Sequence, residues 1–284
     1  MTSATISTPT EAIVLNDKDF HFIRDLLRRK VGIDLSDDKR ELVRSRLAKR
    51  VRALGCTSLK SYVDTHIRPT TAAEKPEFTH FIDALSTNLT SFFREPVHFD
   101  FLRKTVLPNV LRSKRTVRGW CCACSTGEEP YSLAMTLLET ADQSHDIRLL
   151  ATDISTKVLA EAVNGVYPLK RLTNVSTHLR GKYFEPRRLP DGTSALAATP
   201  TMRSLITFRR LNLMDRLPFR GPLDFAFCRN VMIYFDRPTR EALVGRISAV
   251  LAPGGYLFTG HSESLSGQSH ALTQVAPAVY RKSP

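Results

Sequence analysis

Between Asn16 and Gly32 the apolar residues Phe20, Ile23, Leu26 and Leu27 recur at the spacing of one helical face. Asn16 or Asp17 is placed to cap the start of this helix, and Gly32 to end it. A second helix is predicted from about Asp37 to Leu54, with Val43, Leu47, Val51 and Leu54 as its stripe and Gly55 after it. Shorter helical patterns follow at about 59–66 and 77–85, so residues 16–86 read as a small helical bundle behind a flexible tail, 1–15.

From Arg115 the texture changes to apolar strands separated by helices. Strands are predicted at 117–123, 147–152, 223–228 and 256–260, with helices from about Glu129, over 156–163 and over 237–251. Such alternation implies a parallel sheet covered on both faces, the α/β class. Between about 166 and 208 the pattern breaks into short β-prone runs among scattered Pro, Gly, Arg and Thr, which reads as an inserted subdomain within a second domain, 87–284.

Composition narrows this picture modestly. Hydrophobic residues at 42% and charged residues at 24% fit a globular protein. No apolar run approaches the roughly 20 residues of a membrane helix, and the opening residues lack the basic start and apolar core of a signal peptide, so a cytoplasmic location is expected. Cys121, Cys122 and Cys124 crowd one apolar stretch without a second ligand pair at zinc spacing, so buried reduced thiols are expected there and no metal site. The net charge of +13 implies an acidic partner without choosing among nucleic acid, an anionic membrane and an acidic protein.

Four stretches carry the chemistry. The loop from Ala123 to Ser132, ACSTGEEPYS, joins the first strand to its helix, where doubly wound sheets meet a nucleotide. Gly127 permits close backbone approach and Pro130 suits a first helical turn. The loop lacks GxGxxG and GK[ST] and carries two glutamates, a poor match to pyrophosphate and a better one to a cationic, phosphate-free cofactor such as S-adenosylmethionine. Asp153, ending the second strand, is positioned to accept ribose hydroxyls or, alternatively, to cap the helix near Ser155. In FCRNVMIYFD, Phe227 to Asp236, the polar pair Arg229 and Asn230 directly follows an apolar strand. The segment STNLTSFFRE, Ser86 to Glu95, lies at the junction of the two domains, where clefts are favoured. Its plain alternative has Phe92 and Phe93 as core and Arg94 with Glu95 as a solvated pair.

Together TNLTSFFRE, CSTGEEPYSLAM, ATDIS, FCRNVMIYFD and LAPGGYLFTGHSESL resemble the chemotaxis receptor methyltransferase (CheR) family, in consistent order over about residues 16–282. The resemblance implies an N-terminal helical domain, a Rossmann-like S-adenosylmethionine-dependent methyltransferase sheet and an inserted small antiparallel β subdomain. It implies cofactor contacts from Asn88, Thr90, Arg94, Glu129, Asp153, Asn212, Leu213, Arg229 and Asn230, with Arg94 and Tyr234 nearest the transferred methyl group. The implied activity is esterification of chemoreceptor glutamates in chemotaxis adaptation, leaving S-adenosylhomocysteine. Cys121 and Cys122 depart from the small residues usual in the family, and the insert matches poorly.

The substrate expected from this resemblance is an acidic coiled-coil methylation region. Arg46, Lys49 and Arg50, one positive ridge of the second helix, are the residues expected to bind it. The resemblance also implies that family members gripping a receptor's C-terminal peptide carry several glycines in this loop, so the single glycine of Arg187–Thr193 leads to the expectation of a peptide-independent enzyme. A monomer is expected, with no nucleic-acid partner and no direct membrane insertion. Two rivals are a nucleic-acid methyltransferase and a non-catalytic S-adenosylmethionine sensor docked on receptors. The first lacks both an Asn/Asp-Pro-Pro-aromatic tetrad and an aromatic stacking platform, and the second leaves Arg94 and Tyr234 without a purpose.

Overall fold

The computed structural model describes residues 13–68, 76–268 and 270–283. They divide into two units, one formed by residues up to 26 together with 35–86, the other by 27–34 and 87–284. The tail expected over 1–15 lies, as far as residue 12, outside the described residues. No helix among the described residues is long and apolar enough to cross a membrane.

The first unit is helical. Helix α1 (Asp17–Val31) starts where Asn16 accepts the Asp19 N–H at 2.8 Å, and it ends at Gly32, whose φ of +76° is the left-handed stop that glycine takes without strain. Helix α2 (Arg40–Ala53) follows a 3₁₀ turn, then come α3 (Leu59–Tyr62) and α4 (Pro76–Leu85). Val43, Leu47 and Val51 of the α2 stripe are buried among residues such as Phe20, Tyr62 and Phe81. Leu54 is the exception, 38% exposed because α2 has already ended at Ala53.

The second unit opens with α5 (Pro96–Phe101) and α6 (Leu107–Ser113). Strand β1 (Thr116–Cys121), helix α7 (Glu128–Leu138), strand β2 (Asp146–Asp153) and helix α8 (Thr156–Asn164) follow. The insert comprises β3 (Val166–Pro168), α9 (Thr177–Tyr183), β4 (Phe184–Arg188), β5 (Ser194–Ala198) and α10 (Pro200–Leu205). The chain then makes β6 (Ile206–Arg210), β7 (Leu223–Cys228), α11 (Arg237–Val250), β8 (Leu251–Thr259), β9 (Leu272–Ala276) and β10 (Val279–Lys282).

The large sheet has the order β6-β2-β1-β7-β8-β10-β9. Its first five strands are parallel, while β10 runs antiparallel to β8 and β9 antiparallel to β10. A separate sheet, β3-β5-β4, is antiparallel throughout. The insert was expected to reach residue 208, but Ile206–Phe208 pair in parallel with β2 and belong to the large sheet. That short run is β-prone in either sheet, and only long-range pairing decides which one it joins.

Alternation along the strands builds two cores. Val117, Cys121, Phe225, Phe227, Tyr256 and Phe258 pack on one face, and Trp120, Cys122, Ala226, Cys228 and Leu257 on the other. Gly119 is required on the first face, because a Cβ there would lie 2.3 Å from the Phe225 ring. The cysteines are free thiols, with Cys121, Cys122, Cys124 and Cys228 buried, and burial pushes the thiols of the first three well up.

Candidate active site

Strand order reverses between β1 and β7, and in an open parallel sheet the carboxyl ends at that reversal frame the ligand crevice. Three loops meet there, the one after β1, the one after β7 and the segment before α5. Four of the five non-glycine residues with positive φ among the described residues lie in them: Phe93, Glu95, Ser125 and Asn230. Each such residue costs about 1–3 kcal/mol and persists only where its surroundings hold it.

The holding contacts are specific. Asp153 is buried, its two carboxylate oxygens accepting the Ser125 N–H at 2.8 Å and the Ser155 N–H at 2.9 Å. It thus ties the loop after β1 to the end of β2, while the cap of α8 is Ser155 itself, accepting from Val158 N. Ser125 Oγ donates to the Asn88 carbonyl at 2.8 Å, and Phe93 N donates to Ser132 Oγ at 2.9 Å. The TNLTSFFRE segment therefore packs on the STGEEP loop. Phe92 is fully buried and Phe93 packs partly buried against the same core.

Arg229 lies at the centre. Its side chain is completely buried and donates to Glu129 at 2.7 Å, Glu95 at 2.9 Å and the Arg94 carbonyl at 2.5 Å. The guanidinium also lies 5.6 Å from the Phe99 ring and 5.7 Å from that of Phe227. The Arg229 side chain, expected as a cofactor contact, is an internal tie between two carboxylates. The Arg94–Glu95 solvated pair does not form. Arg94, half-buried, donates to the Leu89 carbonyl at 3.0 Å, and Glu95 turns to Arg229 and Asn230.

Burial pushes Glu129 up, against the pull of Arg229 and the Cys121 thiol, and the net direction is upward. Glu95 also pays for burial, but its contacts with Arg229 and Asn230 prevail and the net direction is downward. His98 beside them is fully buried, its Nδ1 at 3.4 Å from Glu95, and burial with the Arg229 charge lowers its pKa to about 4. It is neutral at pH 7, so Glu95 and Glu129 have the Arg229 guanidinium as their shared charged partner. Carboxyl groups gathered at these strand ends can accept from the cationic end of a ligand. Glu95, His98 and His261 bring ligand atoms within 4.8 Å of one another. A metal cation there would press against the Arg229 guanidinium that already holds Glu95, which argues against one.

The second loop glutamate behaves differently. Glu128 is buried, accepts from Thr126 Oγ1 at 2.7 Å and pairs with Arg171 after β3. Both glutamates are thus matched by arginines, and phosphate aversion rests on the absence of a glycine-rich nest more than on charge repulsion. Gly127, with φ +99°, would place a Cβ 2.5 Å from Tyr167 Oη, so the loop closes tightly on the insert.

The remaining expected residues are spread around this centre. Asn212 donates to the Lys30 carbonyl at 2.7 Å, and Leu213 is buried in the core on the second face. Leu211 N donates to the Asp153 carbonyl at 3.0 Å, which brings the LNL segment to the same strand ends. Tyr234, half-buried, closes a 3₁₀ turn (Met232–Tyr234) after Asn230, and Thr90 is half-buried on the TNLTSFFRE segment. In the helical unit Arg46 donates to the Leu85 and Ser86 carbonyls at 2.8 and 3.1 Å, and Arg50 pairs with Glu77, while Lys49 is exposed. The ridge is therefore partly spent on its own unit. Sequence reasoning missed Glu95 as an Arg229 partner, His98, and Glu263. The glutamate in GHSES was visible in the motif but had no assigned task.

A sheet of this order, with a crevice at its switch point, is Rossmann-like, and the family match below makes it an S-adenosylmethionine-dependent methyltransferase. The comparisons extend this. Residues 88–280 match the family described as CheR methyltransferase, SAM binding domain, and residues 18–86 match the CheR methyltransferase all-alpha domain. The chain is 40% identical to Chemotaxis protein methyltransferase 2 of Pseudomonas aeruginosa, over 96% of this chain and 98% of that protein. It is 37% identical to the Chemotaxis protein methyltransferase of Escherichia coli, over 95% and 93%. Among solved structures, the N-methyltransferase NodS from Bradyrhizobium japonicum aligns at TM-score 0.37 and 15% identity, covering 67% of this chain and 97% of that one. The chain belongs to the CheR methyltransferase family, and its cofactor is S-adenosylmethionine.

Proposed function

We propose that this methyltransferase esterifies glutamate side chains in the cytoplasmic coiled-coil methylation region of chemoreceptors, acting as a cytoplasmic monomer. The observation that carries the reading is the carboxyl cluster at the crevice, with Glu129 and Glu95 converging on one buried guanidinium and Asp153 at the end of β2. When bound, S-adenosylmethionine supplies an electrophilic methyl on a cationic sulfonium. Glu129 and Asp153 are the acceptors for its cationic and ribose ends, with Asn88, Thr90, Asn212, Leu213 and Asn230 completing the contacts. Arg229 serves by fixing the Glu129 carboxylate.

The nucleophile, a glutamate with a free pKa of about 4.3, is already ionised at neutral pH, so no general base is needed. The chain's task is alignment and exclusion of water. Arg94 orients the incoming carboxylate, and Tyr234 shapes the methyl-transfer space. Neutralisation of carboxylate by sulfonium as the bond forms favours the reaction in a dry pocket. Lys49, with the charges of Arg46 and Arg50, steers the acidic receptor helix.

The test is Arg94→Ala. Turnover on a purified receptor fragment should fall by at least about tenfold, the scale of one lost charged hydrogen bond, with S-adenosylhomocysteine affinity by calorimetry changing far less. Wild-type turnover in that variant would remove the orienting role.

A further inference from the structure

The loop after β7 carries Arg229, Asn230 and Tyr234, and its internal bonds, Tyr234 N–H to the Val231 carbonyl and Phe235 N–H to the Met232 carbonyl, leave the Asn230 and Ile233 amides to be held from outside. Asn230 sits at φ +56°, a left-handed conformation that asparagine adopts more readily than other side-chain-bearing residues. The Asn230 and Ile233 amide hydrogens converge as an anion-binding nest does, and these donors would need an acceptor wherever they are shielded from water.

Glu263, in the turn after β8, supplies it. The residue is buried at 2% exposure. Its Oε2 accepts the Asn230 N–H and the Gly260 N–H, both at 2.7 Å, and its Oε1 accepts the Ile233 N–H at 3.1 Å. The Glu263 N–H in turn donates to the Gly260 carbonyl at 2.8 Å, closing the turn that aims the carboxylate. Gly260 is required for this approach, because a Cβ there would lie 2.6 Å from Asn230 Nδ2 and 2.7 Å from Glu263 Oε2. Among the described residues the carboxylate accepts from backbone N–H groups and pairs with no cation, so it templates the loop.

We propose that Glu263 is the positioning residue of the cofactor site, an internal anion that holds the Arg229–Tyr234 loop in its binding shape. The inference rests on the reading of Asn230 and Tyr234 given above. Charged hydrogen bonds of this kind contribute more than neutral ones, and an amide cannot replace them all. In Glu263→Gln the side-chain NH₂ must face at least one of the three N–H donors.

The experiment measures S-adenosylhomocysteine binding by calorimetry and methyl transfer to a purified receptor fragment, in the full chain. Glu263→Gln should weaken binding roughly tenfold or more and lower turnover as well. Glu263→Ala should lose both more severely and regain part of each as sodium formate is titrated in, because formate can occupy the vacated nest. The same salt should leave the wild type unchanged. A residue needed only for folding would lower turnover through the folded fraction and leave the affinity of that fraction unchanged. Wild-type affinity and turnover in a folded Glu263→Gln, or no formate response in Glu263→Ala, would overturn the proposal. Should neither variant fold, amide proton shifts of the wild type decide. Asn230 and Gly260 should resonate well downfield as donors to a carboxylate, and ordinary shifts would overturn it. Binding is read without receptor, so a wild type that binds the product but methylates no receptor would sink the functional reading alone.

Discussion

Replacing Arg229 with methionine tests the buried ion cluster most severely. The substitution keeps an apolar stem of similar length against Phe99 and Phe227, but strands Glu129 and Glu95, which the guanidinium holds at 2.7 and 2.9 Å. Removing one partner of a buried pair costs about 3–5 kcal/mol, mainly because the surviving charge is left without compensation. For a sheet-bearing unit of this size each kcal/mol lowers Tm by about 2–4 °C, so a fall of about 10 °C is expected by calorimetry. The pH dependence carries the sign. In the variant both carboxylates have folded-state pKa values raised above those of the unfolded chain, so the folded state binds protons more readily. The deficit should therefore be largest near about pH 8 and narrow as pH falls through the raised values. Adding Glu129→Gln to Arg229→Met should recover part of the loss. Stability within about 1 kcal/mol of wild type, flat with pH, would refute the cluster's role.

Three further outcomes are expected. Gly127→Ala forces a Cβ into a φ of +99° and to within 2.5 Å of Tyr167 Oη, so it should cost about 1–3 kcal/mol in urea unfolding, and an unchanged midpoint would contradict the tight loop. His98 has its folded-state pKa lowered from 6.5 to about 4, so its contribution is complete above pH 6.5 and is lost as pH falls toward 4. That contribution is about 3 kcal/mol, and the difference in stability between wild type and His98→Phe should carry a slope in this window; parallel pH curves would contradict it. Lys49→Glu, chosen because Lys49 is exposed whereas Arg46 and Arg50 bind within their own unit, should raise the apparent KM for receptor at low salt and leave product affinity intact. The effect should fade by about 0.15 M salt, where screening acts over about 8 Å; a KM indifferent to both would return this helix to a solvated surface.

The local layer of the fold was legible because its causes are local. Asn16 caps its helix through a contact three residues away, and the apolar runs of β1 and β7 mark buried strands, whereas the cap of α8 is Ser155 and not the Asp153 that the sequence offered. The STGEEP, ATDIS and FCRNVMIYFD motifs sit at strand ends that meet at the switch point, and TNLTSFFRE joins them by packing on the loop after β1. What they hid were partnerships set by topology. Glu95 lies next to Arg94 in the chain, yet its charge partner is Arg229, across the crevice. Glu263 reads as one more polar residue of a loop until strand order places β8 beside β7 and brings its carboxylate under Asn230. Glu128 and Glu129 looked equivalent, but successive positions on a helix face different neighbours, Arg171 for one and Arg229 for the other.

The central claim, methyl transfer to receptor glutamates, is tested most directly by incubating the protein with S-adenosylmethionine and a purified chemoreceptor cytoplasmic fragment, then mapping the modified residues by mass spectrometry before and after mild alkali. The account predicts methyl groups on glutamates of the coiled-coil region that alkali removes as methanol, and at least about tenfold fewer with Arg94→Ala at matched cofactor occupancy. Methylation confined to nitrogen, stable to alkali, or no transfer from a protein that binds the cofactor, would contradict it.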